Sequence, residues 1–148
     1  MKIRYLMVHG ILLALVTPPV SFALCGVWAG MGLADIATAM ADQYAGDARP
    51  ALWGPSLLAL APVLVLASAL WLVARLRKKP DLNGSLGAAG LGAMTLVLIW
   101  ANVSFWSAFL PERDAPGWPH GIELVIGPLF FAPPAVLLAM LVVWLVRR

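Results

Sequence analysis

Charged residues are scarce in this chain of 148 residues. Asp, Glu, Lys and Arg make up 11% of it and apolar residues 62%, whereas about 25% of an ordinary soluble domain is charged. So little charge cannot cover a surface that faces water. The composition therefore indicates a protein that lies in a membrane.

Cysteine and histidine are also rare, which limits metal and redox chemistry. Cys25 is the only cysteine, so an internal disulfide is excluded. We place His9 and His120 near opposite faces of a hydrocarbon core about 30 Å thick, so one chain cannot use both to ligate one haem. We expect no cofactor in the isolated chain; a haem or quinone shared with a partner subunit stays open.

Catalytic motifs are missing from the sequence. It contains no glycine-rich phosphate loop after a strand, no Cys and His set with metal-ligand spacing, and no ordered set of Ser, His and acid. We expect a protein that is not an enzyme.

Long uncharged runs dominate what is present. Each exceeds the roughly 20 residues that a helix needs to span a bilayer, and none shows the alternation of barrel strands. We predict an all-α integral membrane protein with four transmembrane helices in an up-down bundle, forming a single domain over residues 1–148. The predicted helices cover about 5–33, 51–74, 84–110 and 121–146.

The basic residues predict the orientation of the chain. Eight of the ten fall at one side of the predicted bundle, namely Lys2, Arg4, Arg75, Arg77, Lys78, Lys79, Arg147 and Arg148. Lys and Arg in short loops stay on the cytoplasmic side. We predict a bacterial-type cytoplasmic membrane with both termini cytoplasmic. Topology and contact with membrane lipid explain the net charge of +3 without a nucleic acid partner.

The first helix has an alternative interpretation as a signal peptide. Ser21-Phe22-Ala23 resembles a cleavage site, and cleavage would leave three helices. The apolar run continues beyond it to residue 33, which favours an uncut helix. The sequence alone leaves both open.

The second and fourth helices resemble one another. With an offset of 73 residues, residues 54–75 match at nine of 22 positions, including Gly54 with Gly127 and Trp71 with Trp144. One interpretation is a duplicated helical hairpin. The other is that the bilayer imposes an interfacial tryptophan and a terminal arginine on both helices.

Prolines inside three of these helices predict kinks, because proline removes a backbone donor and clashes with the preceding turn. These residues are Pro18, Pro19, Pro62, Pro133 and Pro134. The kinks either open a small path or are static bends that help the helices to pack.

The third helix is rich in small residues. Gly84, Ala88 and Gly92 are spaced by four, which lets helix backbones approach closely. We predict a packing face here, for helices of the same chain, for a membrane-protein partner or for another copy. Asn102 on the same helix should face protein, where it can form a hydrogen bond.

Two ionisable residues are candidate functional groups. Glu123 opens the fourth helix, where a carboxylate suits a helix N-terminus, and His9 lies in the first helix. In the first outer loop, one helical face carries Leu33, Ile36, Met40 and Tyr44, a pattern typical of an interfacial amphipathic helix that lies on the outer leaflet or docks on a partner.

These patterns favour a non-catalytic accessory, assembly or partner-binding subunit of a membrane complex, a class that includes immunity-type proteins that bind membrane-active toxins. One alternative is a small oligomeric transporter or channel with Glu123 at its mouth. A further alternative is a haem- or quinone-associated membrane anchor of a redox enzyme.

Overall fold

The computed structural model describes residues 3–45, 52–76, 80–107 and 122–147. Helix makes up 94% of these residues, and no strand occurs among them. The elements are α1 (Ile3–Trp28), α2 (Leu33–Ala45), α3 (Trp53–Leu58), α4 (Leu60–Leu76), α5 (Pro80–Ser107), α6 (Ile122–Ile126), a π-helical segment (Gly127–Phe131) and α7 (Ala132–Val146).

Four stretches of the described residues are long and apolar enough to cross a membrane, and we refer to them as the first to fourth spans. They are Arg4–Trp28, Trp53–Leu76, Gly84–Ser107 and Ile122–Val146. Only 17% of the most apolar window of the fourth span is buried within the chain. Outward apolar surface on this scale would be unstable in water but is normal in lipid. The fold therefore fits a multi-pass membrane protein.

The first helix ends earlier than the uncharged run from which it was predicted. α1 stops at Trp28, and Gly30 adopts a positive φ of 77°. The amide of Gly30 donates to the carbonyl of Val27, and that of Met31 donates to Gly26. This pair of bonds is the Schellman arrangement, which ends a helix with a glycine in the left-handed region. A separate helix, α2, follows.

The third span is at the centre of the fold. α5 contacts α1, α4 and α7, and the main core lies along these contacts. Two glycines of α5 allow close approach. A side chain on Gly87 would collide with Leu6 of α1, and one on Gly90 would meet Leu66 of α4.

A second core cluster closes one end of the molecule. It joins Cys25 from α1, Phe105 and Trp106 from α5, and Leu124 from α6. We call this the Cys25 end. The opposite end, where Leu6 lies against Gly87, is called the Leu6 end.

The second and fourth spans are both interrupted. Ala59 separates α3 from α4, and a π-helical segment precedes α7. Pro62 has no N–H to donate to the carbonyl of residue 58, and Pro133 and Pro134 have none for residues 129 and 130. Each interruption therefore lies within the turn before its proline. α1, by contrast, runs without interruption through Pro18 and Pro19.

Candidate functional site

Asn102 is the most deeply buried polar side chain of the third span. It lies on α5 near the Cys25 end and is 1% exposed. Its Nδ2 donates to the carbonyl of Leu98 at 2.9 Å. Its Oδ1 has no hydrogen-bond partner among the described residues. A buried acceptor without a donor costs roughly 1–3 kcal/mol, so this oxygen can accept a bond from a bound group.

Two other buried hydroxyls donate hydrogen bonds to backbone carbonyls four residues earlier in the chain. Thr17 donates to the carbonyl of Leu13 at 2.6 Å, and Ser56 donates to that of Leu52 at 2.8 Å. Both bonds run from residue i to residue i−4, a local pattern that keeps a hydroxyl in an apolar helix interior. The hydroxyls use their protons within one helix and leave lone pairs as acceptors.

The interruption of the fourth span lies against the same part of α5. The amide of Ala132 donates to the carbonyl of Gly127, five residues back, which widens the helix at this point. Gly127 packs on Ala101, the neighbour of Asn102 in the chain. Irregular backbone at membrane depth is tolerated where protein or a cavity surrounds it.

The two ionisable candidates lie far apart. His9 is exposed on α1, and its Nδ1 lies 2.6 Å from the carbonyl of Tyr5, so this nitrogen must carry a proton in that hydrogen bond. Glu123 is half-buried in the first turn of α6, at the Cys25 end. His9 is about 24 Å from Cys25 along α1 at 1.5 Å per residue. The chain therefore does not combine them in one site.

His120 lies outside the described residues, so the alternative of a haem shared with a partner subunit stays open. Among the residues that the structure describes, no group of three or more His, Cys, Asp or Glu could hold a metal ion.

The predicted small-residue face of α5 points mainly outward. Ala88 and Gly92 are exposed, and Gly84 is half-buried. A Cβ on Gly92 would meet no described atom within 4 Å. The glycines that face the core are instead Gly87 and Gly90, described above. Spacing by four fits several faces of a helix that is rich in small residues, so only the packing distinguishes them.

The exposed face continues along α5 as one stripe. It comprises the exposed residues Ala88, Gly92, Leu96 and Ile99 and ends at the half-buried Val103; these residues are spaced by three or four, and we call them the α5 stripe. Trp100 borders it, between a hollow of about 400 Å³ that Trp28 helps to line and one of about 390 Å³ beside Phe131. The sequence alone does not indicate these hollows, because residues from three different spans form them.

α2 packs on the Cys25 end of its own chain through three of the four residues of the predicted apolar face, whereas Leu33, the fourth, is 80% exposed. Ile36 is 4% exposed and lies against Gly26, and Met40 and Tyr44 pack on the second core cluster. The Trp53 indole N–H donates to the carbonyl of Tyr44 at 2.7 Å, and the two rings make an edge contact. The helix is thus held to the bundle by apolar burial and one hydrogen bond.

The fold and these surfaces define the class of this chain as a multi-pass membrane protein with helical spans. Comparison with known proteins adds no narrower assignment. No protein family model, no curated protein and no solved structure matches the chain. A more specific function must therefore be argued from its own residues.

Proposed function

We propose that this chain is a non-catalytic, partner-binding subunit of a membrane complex. The α5 stripe would be the surface that receives a transmembrane helix of the partner. The observation that carries this proposal is the outward position of Ala88 and Gly92, with open space around Gly92. Membrane helices associate through backbone approach at small residues, because lipid supplies no hydrophobic driving force between them.

The shape of the stripe supports a protein partner. Its first half is flat, since Ala88 and Gly92 carry almost no side chain, whereas its second half has hollows on both sides of Trp100. Trp100 is 51% exposed and makes an edge contact with Phe131. A facing helix could approach closely at the small residues and insert larger side chains beside the indole.

The proposal includes a location and an orientation. We place the chain in a bacterial-type cytoplasmic membrane as an up-down bundle, with the Leu6 end and both termini in the cytoplasm. The distribution of Lys and Arg in the sequence supports this orientation. α2 would then lie at the outer face, where it offers a second contact. The 73-residue offset pairs Ala59, where the second span is interrupted, with Ala132, which directly follows the π-helical segment of the fourth span; this proximity supports a duplicated hairpin.

Cysteine cross-linking in native membranes tests the proposal. The sole cysteine is buried, so Cys25→Ala gives a cysteine-free background. We expect Gly92→Cys to cross-link to one defined protein when a short bifunctional thiol and amine reagent is added. A band at twice the mass of the chain would identify a second copy. Gly54→Cys is the matched control, because Gly54 is also exposed with no described atom near it.

A bulky substitution gives an independent measurement. Gly92→Leu should remove the partner that co-purifies in mild detergent, whereas Gly54→Leu should retain it, since both replace an exposed glycine by the same side chain. Loss of the partner from both variants, or retention in both, would contradict a role for the α5 stripe.

One observation favours a second candidate, a small oligomeric transporter or channel. Spans that are interrupted at corresponding positions often mark a binding site in transporters, and the unpaired Oδ1 of Asn102 lies on the helix that packs against the interrupted fourth span. This candidate predicts a flux of protons, Na⁺ or K⁺ into proteoliposomes that Asn102→Ala or Glu123→Gln reduces. Proteoliposomes as tight as protein-free vesicles would exclude conduction of these ions.

A further inference from the structure

A groove lies between α4 and α7 at the Leu6 end of the molecule. Its volume is about 440 Å³, within the range of about 300–1,000 Å³ seen for ligand sites. α4 lines it from Ala69 onward at positions i, i+3, i+4 and i+7, and α7 lines it with the same spacing from Leu137. Leu86 of α5 completes the lining. Every lining side chain is apolar.

In a bilayer this groove must hold an apolar group. Apart from the indole N–H of Trp144, the lining side chains carry no hydrogen-bonding group, so water would find few partners and a polar ligand would lose its hydration with little compensation. The equal spacing on the two helices makes the groove run along the helix axes, which matches the direction of an acyl chain in a leaflet.

Positive charge follows the groove at its open end. Arg75 comes three residues after Leu72 and Arg147 three residues after Trp144, and both of these apolar residues line the groove. Three residues correspond to about 4.5 Å along a helix, so Arg147 lies nearly one turn beyond the last lining residue of α7, whereas Arg75 lies level with the last lining residue of α4, Leu76. Both arginines are exposed. The Arg75 guanidinium rests over the ring of Trp71, which is not a lining residue, at 5.3 Å from its centroid, so the side chain must turn toward the groove to bind a head group there.

The surrounding sequence adds to this charge. Four more basic residues follow the same two helices in the sequence, namely Arg77, Lys78, Lys79 and Arg148. The short connection from the second span to the third contains one acidic residue, Asp81. An apolar groove with a cationic mouth is complementary to a molecule that has an apolar tail and an anionic head.

We propose that the groove binds one acyl chain of an anionic glycerophospholipid, with the lipid phosphate held by Arg75 and Arg147. Guanidinium groups bind phosphate through paired N–H donors, and basic sites between transmembrane helices bind anionic head groups. The site requires only that the chain spans a bilayer. It lies on a different face from the α5 stripe and does not depend on a protein partner.

Native mass spectrometry of the full chain tests the proposal. The protein is released from micelles that contain equal amounts of phosphatidylglycerol and phosphatidylcholine, and retained lipids are counted. We expect one phosphatidylglycerol to be retained in preference to phosphatidylcholine. Arg75→Gln and Arg147→Gln should each reduce this preference about fivefold, and the double variant roughly 25-fold. Arg4→Gln, an exposed cation on α1 away from the groove, should leave the preference unchanged.

A side chain that fills the groove tests the acyl chain separately. Ala69→Phe should remove retention of both lipids. Its thermal unfolding in neutral detergent shows whether the bundle is intact, and Leu137→Trp replaces it if Ala69→Phe does not fold. Equal retention of the two lipids by the wild type would overturn the proposal. The proposal would also be overturned if Arg4→Gln reduced the preference as much as Arg75→Gln. A folded groove-filling variant that still retains lipid, or retention of a quinone in place of phospholipid, would overturn it as well.

Discussion

At the scale of single residues, the two glycines that the 73-residue offset aligns have different surroundings. Gly127 lies against α5, where a new Cβ would be 2.5 Å from the Cβ of Ala101. Gly54 is exposed, and no described atom lies within 4 Å of its Cβ position. Equivalent positions in a sequence repeat thus differ in the size of side chain that they can accommodate, because only one of them faces a neighbouring helix.

This difference predicts the effect of adding one methyl group. Glycine to alanine inside a helix is usually favourable by up to about 1 kcal/mol, but crowding against Ala101 should make Gly127→Ala destabilising by about 1–3 kcal/mol. Gly54→Ala should be neutral or slightly stabilising. Thermal unfolding of both variants in one detergent measures the difference. An equal or more stable Gly127→Ala protein would contradict the close approach.

Asn102 allows a test that does not change the size of the side chain. Asn102→Asp replaces the Nδ2 donor by an oxygen that would face the Leu98 carbonyl at about the same 2.9 Å. If the new carboxyl is ionised, a charged acceptor faces another acceptor; if it is protonated, its O–H can donate to the carbonyl, but protonation at neutral pH itself costs free energy. Either form should lower stability by about 1–3 kcal/mol or more. We expect a lower unfolding temperature for Asn102→Asp than for Thr38→Asp on the exposed face of α2. Equal stability would indicate that water or a donor reaches Asn102.

At the scale of helices, the sequence predicted the packing face of α2, apart from Leu33, better than it predicted the contacts of α5. The large apolar side chains of this polar segment, Leu33, Ile36, Met40 and Tyr44, are spaced on one face, so one orientation is favoured. On α5, small apolar residues surround the helix, and several faces satisfy the spacing of four. Contacts with Leu6 and Leu66 selected Gly87 and Gly90 for the core.

The attachment of α2 gives a prediction for one element. Ile36→Ala removes the side chain that packs on Gly26 and should weaken this attachment by about 2–5 kcal/mol. Leu33→Ala is the control, because Leu33 is 80% exposed. Hydrogen exchange of the α2 amides in detergent should become faster in the Ile36 variant alone. Unchanged exchange in the Ile36 variant would show that other contacts hold α2.

At the scale of the whole molecule, the clearest open prediction is the orientation in the membrane. The basic residues at the Leu6 end should hold both termini in the cytoplasm. A phosphatase fused after Arg148 should therefore be inactive and a fluorescent protein at the same site bright, and a fusion before the first span should behave in the same way. A phosphatase that is active at either terminus would contradict the proposed orientation.

The sequence alone determined the four apolar spans and the polar and apolar faces of α2. The length and periodicity of an apolar run depend only on the residues of that segment. The tertiary structure decided the end of α1 at Gly30, the choice of the core-facing glycines of α5 and the groove between α4 and α7. Each of these depends on which neighbour lies against a residue. In a chain where nearly every side chain is apolar, composition cannot distinguish a neighbouring helix from lipid.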